Sequence, residues 1–586
     1  MATSREKPAG AHMDKHHIAR ILDLMGTLLE LKGENPFRCN AYHNAARAVD
    51  QLEGDIGDWI ASDRLRDVPG IGASMEEKIR ALYTTGRLEA YEQLVREVPA
   101  GLVELLRIPG MGPKKAQALY KELGIDSLAK LEEACRTGQV AKLKGFGEKT
   151  QSKILEALAF LEQAGQRVLL IHALELGEPL LEVVRKHPGT IRAELCGSVR
   201  RRKETIGDLD ILASSRQPEA LMDRFVRAPG IRQVVARGET KCSVTLDNGL
   251  NCDLRIVPDE AFPFALQYFT GSKEHNIVLR SRAQDFGLKL SEYSLSGADK
   301  DIPCRDEADI YHALQMDYIP PELRENTGEI EAAIEHRLPQ LIQATDLVGT
   351  FHCHTDWSDG RADVESMVQA ARKLGLKYLG IADHSQSLKV AGGLSPERVR
   401  QQHALIDRLN STLKGFRIFK GTECDILPDG SLDYPDEVLE LFDYVVVSVH
   451  SHFNLSQEEM TQRLLRALAH PRTTMLGHAT GRLLLRREGY ALDVDRVLRA
   501  CAERGVLVEI NAQPDRLDLD WIHVKHGKNM GVKFVINPDA HSTAELGYLR
   551  FGIDVARRGW LEKDDVFNTQ SLARVTRFLS ARRSAR

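Results

Sequence analysis

Three aspartates and a small-residue turn carry the first chemistry in the 586-residue chain. Asp208 and Asp210 stand two apart in Gly207-Asp208-Leu209-Asp210. On a strand that spacing puts both carboxylates on one face. Asp253, in Asn251-Cys252-Asp253-Leu254-Arg255, would add a third from a neighbouring strand. Hard oxygen donors so grouped suit two Mg²⁺ ions and in-line nucleotidyl transfer. Just upstream, Gly197-Ser198 offers small residues and N–H groups to a triphosphate, with Arg200, Arg201, Arg202 and Lys203 as counter-charge.

A second set of chemical groups fills the C-terminal part. It comprises His352-Cys353-His354 with Asp359, Asp383-His384, Glu423, His450-Ser451-His452, His478 and Asp539-Ala540-His541. Mixed imidazole and carboxylate donors suit Zn²⁺, Mn²⁺ or Fe²⁺.

The elements that must position these groups follow from the hydrophobic pattern. The last 240 or so residues alternate strand and helix, with strands expected to end near His354, His384, Glu423, His450, His478, Asn511 and His541 and helices over 363–374 and 457–469. Seven βα units predict a parallel sheet or barrel, whose strand C-termini bring catalytic groups to one rim. Residues 165–262 read as β-rich with intervening helices. The N-terminal quarter carries a weak repeat: Val68-Pro69-Gly70-Ile71-Gly72, Ile108-Pro109-Gly110-Met111-Gly112 and Lys144-Gly145-Phe146-Gly147, each leading into an amphipathic helix. Glycine permits the tight turn, and free N–H groups at the following helix start can meet a phosphate oxygen. Helix-hairpin-helix modules bind DNA backbones in this way, which makes Gly70, Gly72, Gly110, Gly112, Gly145 and Gly147 candidate DNA contacts.

With Gly197-Ser198-Val199-Arg200-Arg201, Gly207-Asp208-Leu209-Asp210, Asp253-Leu254-Arg255 and Tyr268-Phe269-Thr270-Gly271-Ser272, the chain resembles the family X DNA polymerases of the polymerase beta type. The resemblance implies that Asp208 and Asp210 hold both metals while Asp253 orients and deprotonates a primer 3'-hydroxyl. Gly197, Ser198, Arg201, Gly207 and Ser272 would grip the triphosphate. Tyr268, Phe269 and Gly271 would form a sugar gate, Asn276 would touch the base, and Arg255 and Arg280 would meet DNA. Upstream, Pro69 to Gly72, Glu77-Lys78-Ile79, Asn35-Pro36-Phe37-Arg38 and Asn40-Ala41-Tyr42-His43 resemble the family's lyase domain. That makes Lys78 a Schiff-base candidate and places Arg38, Tyr42 and His43 at the 5'-end of a gap. Such a lysine must be partly neutral, whereas Glu76 and Glu77 beside it in sequence would raise its pKa.

The C-terminal residues resemble the polymerase and histidinol phosphatase (PHP) domain, a distorted barrel with up to three metals. By that resemblance the ligands are His352, His354, Asp359, His384, Glu423, His450, His478, Asp539 and His541, with His452 and Asp383 as orienting neighbours, and the chemistry is phosphoester hydrolysis. The order of parts resembles bacterial family X polymerases. The expected fold class is multidomain α/β: a helix-hairpin-helix N-terminus over 14–92 and 93–165, a nucleotidyltransferase palm over 166–262, a thumb-like domain over 263–318, a linker over 319–346, and a (β/α)7 PHP barrel over 347–580.

Composition narrows the class. Lys+Arg 79 against Asp+Glu 84 gives a net charge of -5, against bulk-charge coating of nucleic acid. Nine cysteines without a Cys-x-x-Cys pair fit a reducing compartment. No apolar stretch of membrane-spanning length or secretory leader is read, and the opening run to Gly10–Met13 is set aside as a tail. The expectation is a monomeric, cytoplasmic, nucleoid-associated enzyme acting on gapped or primed duplex DNA and dNTPs. It would use Mg²⁺ or Mn²⁺ for synthesis and a Zn²⁺, Mn²⁺ or Fe²⁺ cluster for 3'-5' exonuclease, 3'-end processing or abasic-site cleavage. The alternative is mainly a 3'-end nuclease or phosphatase that uses its polymerase-like half to bind gaps.

Overall fold

The computed structural model describes residues 13, 15–50, 52, 56–106, 108, 110–164, 167–298 and 301–584. Gly10 to His12 of the tail, Asp14 at the head of the first expected domain, Pro109 of the second glycine loop, and residues 165–166 at a domain boundary lie outside them. The chain divides into two compact units, Met1–Ala164 and Gly165–Arg586.

The first unit is helical. Ile18, Leu22, Met25 and Leu29 recur at helical spacing along Lys15–Lys32 and bury one stripe in the unit's core. Helices Ala73–Thr85, Pro113–Leu123 and Gly147–Ala164 each follow a glycine loop. Gly70 and Gly110 take φ of +96° and +77°, which lets the chain turn sharply before Gly72 and Gly112, the extended residues that precede each helix. The third loop differs: Gly145 and Gly147 both have positive φ, and the helix begins at Gly147 itself.

The second unit opens with a five-stranded sheet: β1 (Thr190–Leu195), β2 (Asp208–Ser215), β3 (Ile231–Arg237), β4 (Lys241–Leu246) and β5 (Asn251–Val257). Their spatial order is β1-β2-β5-β4-β3, and only the β2–β5 pair is parallel. Leu209 and Ile211 turn into the core, so the alternation leaves Asp208 and Asp210 on the opposite face. After the helices Phe262–Thr270 and Lys273–Asp285 comes a small core of Leu279, Ile310, Leu314, Ile319, Ile330 and Ala333. The stretch 319–346, expected as a linker, packs into this core instead. Its charges misled because Arg324 and Glu329 are fully buried and paired.

Seven parallel strands follow in sequential order: β6 (Gly349–Thr350), β7 (Tyr378–Ile381), β8 (Arg417–Asp425), β9 (Tyr444–Ser448), β10 (Met475–Leu476), β11 (Leu507–Asn511) and β12 (Phe534–Asn537). They are buried except at Arg417 and Lys420 of β8, as in a parallel sheet covered on both faces. A parallel bridge between Cys353 and Ala540 joins the first and last strands beyond their ends. Seven of the nine expected ligands fall two to four residues past a strand end and Asp359 lies further along the loop after β6, whereas Glu423 lies within β8. The expected helices form at Val364–Lys373 and Gln457–Ala469.

Candidate active sites

The sheet brings the three aspartates together. Asp210 stands directly opposite Asp253 in the parallel β2–β5 register, and Asp208 is opposite Asn251. Burial, then the nearby Asp208 and Asp253 carboxylates, pushes the Asp210 carboxyl up to about 6. Three anions held this close need positive charge. Lys241, on the adjoining strand, supplies one at 2.6 Å from Asp253. Gly197 has positive φ and lies over Asp210, where a Cβ would come within 2.7 Å of a carboxylate oxygen. The Gly-Ser turn is thus pressed onto the carboxylates, and Gly197–Arg200 forms a short helix.

The basic run after it is largely spoken for. Arg200 pairs with buried Glu307 at 2.6 Å, Arg201 with Glu325 at 3.1 Å, and Arg202 lies 3.7 Å from Asp554. The expected counter-charge run thus also carries carboxylate partners, which come from segments more than a hundred residues away. Arg201 also donates to the Thr270 carbonyl at 2.6 Å, beside Gly271 and Ser272. Tyr268 and Phe269 meet edge to face, with Arg280 4.8 Å from the Tyr268 ring and Arg255 4.5 Å from that of Phe269. Asn276 donates to the Tyr268 carbonyl and Ser272 caps the helix that carries Asn276. Gly207 lies beside Arg167. Ser198 falls within the short helix.

In the helical unit Lys78 lies 5.8 Å from the Tyr42 ring and donates to Ser74. Burial lowers its pKa, Glu77 opposes that, and Arg38 lowers it further. The expected upward pull of Glu76 is absent because that side chain turns to Arg66 and Arg80. Arg38 pairs with Glu34 and His43 with Asp23. Tyr42 is buried.

The barrel rim converges on Glu423. Its oxygens lie 2.8 Å from His478 Nε2, 2.9 Å from His384 Nδ1, 3.2 Å from His450 Nε2 and 3.4 Å from His352 Nε2. Asp539 stands 3.2 Å from His354 Nε2, and Asp359 lies 3.5 Å from both His384 and His541. Three groups have donor atoms close enough to share a cation: His354 with Asp359, His384 and His541; His352 with His354 and Asp539; and His384 with Glu423 and His450. His352 Nε2, both His354 ring nitrogens, His384 Nδ1 and His478 Nδ1 are buried without a hydrogen-bond partner among the described residues. Orphaned imidazole nitrogens facing carboxylates fit divalent cations.

Two neighbours expected to orient ligands behave otherwise. His452 is exposed and contacts Ser451, and Asp383 holds Thr355, Ser358 and Gln402 rather than an imidazole. The orienting carboxylates are Glu509, 2.6 Å from His352 Nδ1, and Asp425, 2.5 Å from His450 Nδ1. Asp425 stands two residues after Glu423 on one strand, a period-2 signal present in the sequence. Arg516, also unread there, places its guanidinium 3.8 Å from Asp539.

The class of protein is thereby set: a nucleotidyltransferase of the polymerase beta type fused to a metal-binding PHP barrel. Residues 265–325 match the DNA polymerase beta thumb, 13–88 a helix-hairpin-helix domain, 102–159 a SAM-like helix-hairpin-helix tandem, and 350–513 the PHP domain. Over 573 residues the chain is 39% identical to the DNA polymerase/3'-5' exonuclease PolX of Bacillus subtilis, spanning 97% of this chain and 99% of that protein. The chain belongs to this PolX family of bacterial DNA polymerases. DNA polymerase lambda of Rattus norvegicus is 25% identical over 341 residues, covering 53% of this chain and 56% of that one. A probable phosphatase of Thermoanaerobacter is 28% identical over 235 residues, covering 38% of this chain and 91% of its own. No helix among the described residues is long and apolar enough to cross a membrane.

Proposed function

We propose that this polymerase and 3'-5' exonuclease fills short gaps in DNA and trims the same primer end. The observation that carries the synthetic half is the register of Asp210 opposite Asp253 with Asp208 alongside. These carboxylates would hold Mg²⁺ or Mn²⁺, and Asp253 would take the proton of the primer 3'-hydroxyl. Ser198, Gly207 and Arg201 would hold the triphosphate of a dNTP, Tyr268 and Phe269 its sugar, and Asn276 its base. The glycine loops of the helical unit present helix N-termini to the DNA backbone without reading sequence.

The nine-residue rim would hold Zn²⁺, Mn²⁺ or Fe²⁺ for hydrolysis at 3'-ends, with cleavage at abasic sites as a related reaction. When bound, such cations lower the pKa of a coordinated water and offset phosphate charge. Glu509 and Asp425 orient His352 and His450, and Arg516 adds a phosphate-facing cation. The protein acts as a monomer at the nucleoid. The test is a one-nucleotide-gapped, 5'-phosphorylated duplex, incubated with and without dNTP in Mg²⁺ and in Mn²⁺. Extension by one nucleotide with dNTP and shortening without it are expected; shortening alone would leave only the nuclease.

A further inference from the structure

One carboxylate ties the nucleotide turn to the barrel. Glu325 Oε1 accepts from Arg201 Nε at 3.1 Å and from Arg558 Nη1 at 3.1 Å. Arg558 ends the barrel helix Leu549–Arg558 and is 1% exposed. The same Nη1 donates to the Arg201 backbone carbonyl at 2.6 Å, and the guanidinium lies 4.8 Å from the Trp521 ring. Two more barrel cations brace this thumb segment: Arg557 donates to Glu322 at 2.8 Å and Lys525 to the Thr327 carbonyl at 2.6 Å. Within the segment the Arg324 carbonyl accepts from the Ser272 N–H at 3.0 Å. The brace therefore reaches the nucleotide pocket twice, at Arg201 and at Ser272.

A buried guanidinium is costly unless paired, and an apolar side chain of similar volume would fill the space as well. Only the cation can share Glu325. With Arg558 present, two guanidinium charges and the nearby Lys203 ammonium face Glu325, so net positive charge remains at Arg201. Without it, Lys203 remains near Glu325, but the carboxylate would offset more of the Arg201 charge and compete with an incoming triphosphate.

We propose that Arg558 is a positioning residue for nucleotide addition, supplied by the hydrolytic domain: it shares Glu325 so that Arg201 keeps charge for the triphosphate. The proposal rests on the reading of Arg201 as a triphosphate contact. Steady-state filling of a one-nucleotide gap by the full chain tests it. In Arg558→Met the KM for dNTP is expected to rise about tenfold with kcat within about twofold, the signature of lost uniform binding. Arg558→Lys should fall between. Adding Glu325→Gln to Arg558→Met should bring KM back to within about twofold of the parent, a reversal that a structural defect would not give. An unchanged KM in Arg558→Met, or a rise that Glu325→Gln fails to reverse, overturns the proposal. Arg201→Met is measured alongside: an unchanged KM there brings down the Arg201 reading itself, whereas a raised KM there with an unchanged one in Arg558→Met sinks the proposal alone.

Discussion

Glu509 stands 2.6 Å from His352 Nδ1 with one oxygen and accepts the His478 backbone N–H at 2.7 Å with the other. A single buried carboxylate therefore fixes two rim residues on different strands. Donation from Nδ1 leaves the Nε2 lone pair of His352 aimed at Glu423 and Asp539. Glu509→Gln substitutes an NH₂ group that cannot accept one of these bonds. Metal affinity of the barrel should fall about 10–100-fold, with exonuclease restored by excess Mn²⁺ and gap filling unchanged. Metal titration followed by exonuclease rate checks this; equal affinity in both proteins would deny Glu509 its role.

The two centres share no ligand, so each should fail alone. Asp208→Ala removes a donor from the sheet and should abolish synthesis while 3'-end hydrolysis continues. His352→Ala should abolish hydrolysis and leave synthesis. Both rates are read on the same gapped duplex, and a joint loss in either variant with melting unchanged would refute two independent centres.

The sheet site was legible because β-strands alternate: Asp208-Leu209-Asp210 announces two outward carboxylates, and Asp253 falls opposite Asp210 in register. The barrel ligands were legible because nearly all lie at or just beyond strand ends, where βα folds gather their chemistry. Relations across long separations were not. Arg200, Arg201 and Arg202 read as counter-charge for a triphosphate, and the sequence does not reveal that Glu307, Glu325 and Asp554 meet them from more than a hundred residues away. Glu509 carries no local signature, since a buried strand carboxylate is explained only by the imidazole it faces. The stretch 319–346 read as a linker because its charged residues hid Ile319, Ile330 and Ala333, which pack in a core.

Lys78 has the setting that an amine nucleophile needs. Burial lowers its pKa against the pull of Glu77, Arg38 adds to the lowering, and Glu76 is occupied by two arginines. A larger neutral fraction at neutral pH favours attack on an abasic-site aldehyde. Borohydride should trap a covalent adduct with DNA carrying a 5'-deoxyribose phosphate, and Lys78→Ala should lower trapping by about tenfold or more. Undiminished trapping in that variant would move the chemistry to another amine.

Asp554 gives the interface between sheet and barrel a pH dependence. Its carboxyl lies 3.7 Å from Arg202 Nε, on the same helix as Arg558. Burial pushes it from the ordinary 3.8 up to about 6; Arg202 offsets part of this and Glu322 adds to it. The folded value is above the unfolded one, so the fold binds this proton more tightly than the unfolded chain does. Ionisation is therefore a penalty on the fold: absent below about pH 4, growing from there to about pH 6, and constant above. Asp554→Asn removes the ionisation and should stabilise the protein at pH 8 by up to about 3 kcal/mol, seen as a rise of a few degrees in Tm. The gap between variant and parent should narrow as pH falls through 6 toward 5. Thermal melting across that range checks the sign: a gap that widens on acidification, or a variant less stable at pH 8, would mean that Arg202 holds Asp554 as a favourable ion pair.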